Sequence, residues 1–413
     1  MSGPHALLCC LIPLLLAAAP SCKSSTSFDE GVGFYQQNSL DKALPLFQAA
    51  VKEEAGDPDA HAYLAETLRR MGKKVEAVEH ARNALTLDGC HSFAHTTLAD
   101  AYNPMFGIWE GSDEDSTWAH LLKAIECDST DGNAWTGVWV EAMRRGESAL
   151  EKRAARSLIT TRFLSATVLA YNRWVMKNLP ENAVLLTNGD MDTYPAVALQ
   201  VVENLRPDVC VVNLSLLNLP WYARLVAKRC DISLPFEAVE LETLKVYKDE
   251  DGSVMTRSRQ IVAGWLDMQK KGEFAKPLAP AATVSELGFT PDCRARLKLA
   301  GPFYLSFPEP VEGEVDMAMA RVALQSINPT DFKGPWVSRY DRSPVRRVST
   351  SRVGTNITAL AIKYAYLLLE SDRGAEARVW AQWAEDFDNK TEAGPYMADQ
   401  IVQLRYAIAE TEK

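Results

Sequence analysis

The chain has 413 residues, 47% hydrophobic and 24% charged, with 44 basic side chains against 54 acidic ones. That length implies two or three domains, with cores large enough to need neither disulfides nor metals. The composition excludes collagen, wholesale disorder and a multi-pass membrane protein, and a net charge of −10 argues against a general nucleic-acid binder, whose footprint is positive.

Ala6 to Ala19 is an apolar run, followed by Pro20-Ser21-Cys22 and the polar stretch Lys23–Ser27. The run fits the apolar part of a secretory leader and falls short of the ~20 residues a spanning helix needs. Ala19-Pro20-Ser21-Cys22 resembles a bacterial lipobox, although no Lys or Arg precedes the run and Pro20 is not the usual small residue. The expectation is a signal peptide over 1–21 and a short linker, 22–27, headed by a lipidated Cys22. The chain would then face the periplasm or cell exterior on a membrane anchor; an ordinary leader cut near Ser21 would export it equally. Cys90, Cys127, Cys210, Cys230 and Cys293 remain. Their spacings match no metal pattern, so most are expected to be small buried hydrophobes, with room for one disulfide in an oxidising compartment.

From Phe28 the chain is self-similar near a 34-residue period. Gly31, Phe34, Ala43, Phe47 and Ala50 form one unit; His61, Leu64, Ala65, Leu68, Gly72, Ala77, Ala81 and Ala84 form the next. A third starts at His95 and Leu98, is interrupted over 103–116, and resumes at Leu121 and Ala124; Ala134 to Met143 opens a fourth. Small residues at these positions let two helices approach closely and stack on the next pair. The pattern resembles tetratricopeptide repeats and is assigned to 28–152. His91 and His95 share i, i+4 spacing, but no acidic residue completes a metal motif between them, so packing histidines are expected. No histidine follows His120, which excludes a histidine-dependent triad confined to the later part of the chain.

After a helical stretch over 149–179, Ala183–Thr187 reads as a buried strand, 196–205 as a helix with Asp192 or Thr193 at its cap and Pro195 in its first turn, and Val209–Asn213 as a second strand. A helix over Thr256–Lys271 and an irregular, proline-bearing strand near 276–284 extend this βαβ unit towards a parallel sheet. The expected fold class is therefore α/β plus all-α: helical repeats, a Rossmann-like parallel-sheet domain over 153–350, and a C-terminal helical repeat over 351–413.

The blocks Leu185-Leu186-Thr187-Asn188-Gly189-Asp190-Met191-Asp192-Thr193-Tyr194-Pro195, Arg206-Pro207-Asp208-Val209 and Val212-Asn213-Leu214-Ser215, continuing to Trp221-Tyr222, resemble the soluble C-terminal region of the protein O-mannosyltransferase-like family of bacterial membrane proteins. Lys276-Pro277, Ala282-Thr283-Val284, Leu297, Leu299, Gly301, Tyr304 and the helix 356–369 follow in the same order, so the likeness spans roughly 170 to 388. It implies an envelope context and a link to glycan or surface-protein assembly. The family's membrane part, with its catalytic acid, is absent, so no transferase activity follows.

Ligands of open parallel sheets bind at the carboxyl ends of strands. Asn188, Asp190, Asp192 and Thr193 leave one strand end; Asn213, Ser215 and Asn218 leave its neighbour, with Trp221 nearby. Asp190-x-Asp192 could hold a divalent cation, the one cofactor the pattern admits, while the amides meet sugar hydroxyls and Trp221 stacks on a sugar face. The competing expectation is structural: a tight Asn-Gly-Asp turn, a helix cap and amides tying loops together. Between Lys333 and Arg352 a basic run (Arg339, Arg342, Arg346, Arg347) is expected to be a solvated loop paired with acidic surface, with Trp336 and Tyr340 as docking aromatics. The favoured function is a lipid-anchored envelope scaffold that holds protein partners through its repeats and performs no chemistry. The alternative is a glycan- or sugar-phosphate-binding or processing α/β enzyme using the Asp-x-Asp site.

Overall fold

Alanine and glycine set the spacing of the first eight helices. The computed structural model describes residues 26–250, 252–284, 289–390 and 397–411; the expected signal peptide, Cys22 and linker residues 22–25 lie outside the described residues. Helices α1 (Thr26–Gln36) and α2 (Leu40–Glu53), α3 (Pro58–Arg70) and α4 (Lys74–Leu87), α5 (Ser92–Tyr102) and α6 (Glu114–Cys127), and α7 (Gly132–Arg145) and α8 (Ser148–Thr160) pack as four successive pairs. Ala43, Ala50, Ala65, Ala77, Ala81 and Ala84 are fully buried between them. A methyl group on Gly31 would lie 2.8 Å from the Phe47 ring, and one on Gly137 2.6 Å from Leu121, so both sites need the bare backbone. Asp57, Asp113 and Asp131 cap α3, α6 and α7 by accepting from backbone N–H groups. The interruption in the third unit is a loop folded back by Trp109, whose indole N–H donates to the Ala101 carbonyl at 2.8 Å. This is a tetratricopeptide-like array, and its fourth pair extends past the expected limit at 152 to Thr160.

The cysteine expectation is corrected here, and the i, i+4 histidine spacing is resolved. Cysteines expected mostly as isolated hydrophobes form two disulfides: Cys90–Cys127 ties the turn before α5 to the end of α6, and Cys210–Cys230 joins a strand to a helix. Only Cys293 is free among the described residues, and it is buried. His91 and His95 also do not share a helix face. His91 sits outside α5 and caps it, with Ala94 N–H donating to Nδ1 at 3.1 Å, while His95 turns inward.

Beyond α9 (Ala166–Asn178), β1 (Val184–Thr187), α10 (Asp190–Glu203) and β2 (Cys210–Asn213) form the βαβ unit, and β5 (Leu278–Pro280) pairs on the other side of β1. The sheet order is β2-β1-β5, all parallel, with Leu185 opposite both Val211 and Ala279. Pro280 lacks an N–H to donate, in keeping with an edge position. Between β2 and β5 lie α11 (Pro220–Cys230), α12 (Ala238–Thr243), the ribbon of β3 (Tyr247–Lys248) and β4 (Val254–Met255), and α13 (Arg257–Lys270). After β5 come α14 (Pro291–Ala295), the hairpin of β6 (Leu297–Leu299) and β7 (Tyr304–Ser306), and α15 (Met317–Gln325). Three parallel strands and two small ribbons in a mostly helical chain fall short of a full Rossmann-like sheet.

The short α16 (Pro344–Thr350) precedes α17 (Thr355–Glu370), α18 (Gly374–Lys390) and α19 (Ala398–Glu410); Ala361, Ala365, Ala377 and Ala381 bring α17 and α18 together as in the repeats. One hydrophobic core runs from Leu121, Trp135 and Trp139 in the repeats through Leu185 and Leu199 to Leu360 and Leu404. The expected division at 152/153 falls inside α8 and that at 350/351 at the end of α16, and the core crosses both. Among the described residues, no helix is long and apolar enough to cross a membrane.

Candidate functional site

The turn after β1 is built by its own carboxylate. Asp192, 6% exposed in the first turn of α10, accepts from Asn188 N–H at 2.8 Å, from Gly189 N–H at 2.9 Å and from the Thr283 hydroxyl at 2.5 Å. Burial pushes its carboxyl above the usual range, against the pull of those three donors. The helix thus starts at Asp190, earlier than the sequence implied, and Asp192 is its internal clasp. That leaves Pro195 inside α10, where it cannot donate to the Met191 carbonyl four residues back. Asn172 of α9 supplies the missing donor, its Nδ2 lying 3.0 Å from Met191 O.

A buried relay fixes the neighbouring strand end. Asn213 Nδ2 donates to Thr193 Oγ1 at 2.9 Å, the Thr193 and Thr187 hydroxyls lie 2.6 Å apart, and Thr187 donates to the Val212 carbonyl. Asn213 Oδ1 accepts from Leu216 N–H, and its own N–H donates to the Tyr222 hydroxyl oxygen. Asn218 faces the other way: Oδ1 accepts from Ser258 N–H, and Nδ2 donates to the carbonyls of Leu214 and Ser215. Trp221 packs edge-on against Tyr222, 5.7 Å between ring centres.

The predicted residues therefore separate. Asp192, Thr193 and Asn218 tie structure together. Asn188 and Ser215 are exposed, with the Ser215 hydroxyl donating to the Asn188 carbonyl at 3.4 Å. Asp190, Asn213 and Ser215 line a cavity of about 410 Å³; Asn188 and Trp221 do not. Asp190 and Asp192 do not converge: donors engage both oxygens of Asp192, whereas Asp190 pairs with Arg346 at 3.2 Å. No cluster of three or more His, Cys, Asp or Glu side chains able to hold a metal occurs among the described residues.

The cavity's other walls were not anticipated. The first helices of the repeat pairs contribute Tyr35 from α1, Glu66 and Arg69 from α3, Thr97 and Asp100 from α5, and Thr136 from α7. Arg69 forms two 2.7 Å bonds with Glu66 and lies 3.5 Å from Asp100. Burial pushes the Asp100 carboxyl up, further raised by Glu66 and opposed by Arg69. Burial, with Asp190 nearby, likewise raises the Tyr194 phenol.

The basic run closes the groove. Rather than a solvated loop, residues 340–346 lie against α7: Asn133 Nδ2 donates to the Tyr340 carbonyl, Asn133 Oδ1 accepts from Arg342 N–H, and Arg342 pairs with Asp131. Arg346, 17% exposed, donates to Asp341, Asp190 and Asn133, and its guanidinium stacks 5.1 Å from the Phe163 ring. Burial works against its charge, but Asp341 and Asp190 outweigh burial and hold it protonated. Trp336 is buried against Phe332. The acidic partners expected of this run are real, but they lie inside the molecule. An arginine run (Arg339, Arg342, Arg346, Arg347), with an Asx-capped helix (Asp131, Asn133) far upstream, carries no sequence signal that the two will meet.

Residues 168–284 match the family model for TMEM260-associated domain 2, a stretch that includes both strand-end turns. No curated protein matches the chain in sequence. Among solved structures, MamA is 16% identical with a TM-score of 0.28, covering 50% of this chain and 90% of its own. TTC0263, a thermophilic TPR protein in Thermus thermophilus, is 19% identical with a TM-score of 0.31, over 50% of this chain and 98% of its own. Naa15/Naa10 bound to HypK-THB gives 13% and 0.27, over 94% and 66%. At such scores the repeat assignment rests on the helix pairs themselves.

Proposed function

We propose that this chain is an exported, lipid-anchored scaffold of the bacterial cell envelope that holds a protein partner through its tetratricopeptide-like repeats and carries no chemistry of its own. The observation that carries the interaction reading is the grip of Asn133 on the backbone of 340–342: the groove already holds a polypeptide by its amide groups, in cis. The two disulfides support export, because such bonds persist in oxidising compartments. The resemblance of 185–222 to the mannosyltransferase-like family supports a place beside glycan assembly.

The test uses the full chain in a Gram-negative host. It should fractionate with membranes, incorporate labelled palmitate, and lose both properties in Cys22→Ala. A photo-crosslinker at Arg70, on the cavity wall contributed by α3, should trap one envelope protein. A cytosolic chain with free thiols at Cys90 and Cys127 would overturn export, and absence of any adduct would overturn the scaffold.

A further inference from the structure

The cavity between the repeats and the sheet has features that a partner groove does not require. Its volume of about 410 Å³ falls in the range of small-molecule sites, roughly 300–1,000 Å³. It also lies at the carboxyl ends of β1 and β2, where open parallel sheets take ligands.

Its charges are close to balanced, five carboxylates facing four guanidinium groups. Arg69 meets Glu66 and Asp100, Arg346 meets Asp190 and Asp341, Arg342 meets Asp131, and Arg70 donates to the Asn38 side-chain oxygen. There is no surplus of positive charge to draw an anion, and guanidinium groups stand on two sides to repel a cation. The wall nevertheless keeps unused hydrogen-bonding capacity of both signs. Asp100 has one ion-pair contact, the long one to Arg69, and Asp190 one, to Arg346, so each carboxylate retains acceptor sites. On the donor side, the Thr97 hydroxyl, the Trp139 indole N–H, Arg70 Nη1 and Arg342 Nε have no partner, although Thr97 and Trp139 are 1% and 3% exposed. Thr97 is unusual for a helical threonine. Its neighbour Thr96 donates to the carbonyl four residues back at 3.0 Å, whereas Thr97 leaves that bond unmade. A χ1 step, for which threonine in a helix has two wells, swings its hydroxyl.

A wall offering acceptors and donors together, with no positive surplus, fits groups that do both, and hydroxyls do. Tyr35, Phe93 and Phe106 also line the cavity, each with a guanidinium (Arg70, Arg342 and Arg69) over one ring face; Phe106, 51% exposed, keeps apolar surface that the C–H face of a sugar ring can cover. We propose that this cavity binds a compact, uncharged, polyhydroxylated ligand of monosaccharide to disaccharide size, with Asp100, Asp190 and Thr97 as its hydrogen-bonding partners. The assignment stands apart from the scaffold reading, since it needs neither export nor a protein partner.

Isothermal titration of the purified chain with neutral aldohexoses and their disaccharides, beside hexose phosphates and hexosamines, tests it. A neutral sugar should bind saturably, and Asp100→Asn should weaken binding at least tenfold. Because that change also touches Arg69, Thr97→Val is the second variant. It keeps the shape, removes a hydroxyl that has no partner in the free protein, and should weaken binding severalfold while leaving Tm unchanged or higher. Failure of every neutral sugar at 10 mM, exclusive binding of the phosphates or of the amines, or affinity untouched by both variants would overturn the proposal.

Discussion

Asn133 holds the backbone on both sides of Asp341, donating to the carbonyl before it at 2.8 Å and accepting from the N–H after it at 3.0 Å. Asn133 is 8% exposed, so replacing its amide leaves two main-chain groups and Asp131 short of partners in a place water reaches poorly. A buried polar group left unsatisfied costs about 1–3 kcal/mol. Asn133→Leu is therefore expected to lower stability by roughly 2–4 kcal/mol in urea unfolding. Amide exchange should accelerate first over 338–350 and only later in α17, since Arg342 and Arg346 lose their register together.

How far the sequence foretold this structure depends on whether a residue's role is local. Ala77, Ala81 and Ala84 announce a close helix pair because only small side chains permit it, and they are buried as that pairing requires. The Asn-Gly-Asp turn with its capping carboxylate was legible for the same reason: Asp192 bonds to N–H groups three and four residues away. Asn133 and Tyr340, by contrast, are 207 residues apart. An arginine run reads identically whether water or a buried aspartate receives it, and so the solvated loop was the wrong expectation. Cysteine pairing is hidden similarly, because spacing says nothing about which thiols the fold brings together.

The Cys90–Cys127 bridge closes 37 residues of chain around α5 and α6. Its effect on the unfolded chain, together with the fixed turn before α5, should be worth about 2–5 kcal/mol. Cys90→Ser, or reduction with dithiothreitol, should lower the Tm and selectively loosen α5 and α6 in hydrogen exchange. A variant as stable as the parent would show the bond to be unformed in solution.

Equivalent positions in two successive repeats hold paired histidines: His61 with His80 at 3.1 Å and His95 with His120 at 2.9 Å, Nδ1 to Nδ1. One ring must donate and the other accept, so a second proton on a pair would set two like charges in contact. Burial, then His95 and Arg82, lower His120 from 6.5 to about 4; burial, then His61, lower His80 against Glu79 and Glu76; burial lowers His95, with Lys123 and His91 adding to it against the Gly89 carbonyl and Asp88. The unfolded chain takes up these protons at higher pH than the folded one, so stability falls as pH drops from about 6.5 towards 4. For His120, partly exposed and screened by solvent, the loss should be roughly 1–2 kcal/mol. Urea unfolding at half-unit pH steps should show this slope, and His80→Gln with His120→Gln should flatten it.

Asn172 and Pro195 form a compensating pair through a carbonyl that neither owns. Pro195 leaves Met191 O without its helical donor, and Asn172, 1% exposed, provides one while also donating to Val168 O in its own helix. Asn172→Leu should cost about 1–3 kcal/mol, the penalty for an orphaned buried acceptor plus the lost contact. Pro195→Ala alone restores a backbone N–H and should be close to neutral, since α10 is already helical there. The double variant is the informative one. If the coupling runs through Met191 O, the N–H restored by Pro195→Ala stands in for the donor removed by Asn172→Leu, and the double variant should recover most of the loss. A double-mutant cycle would then show an interaction of roughly 1 kcal/mol or more, whereas additive effects would mean that Asn172 contributes by packing alone.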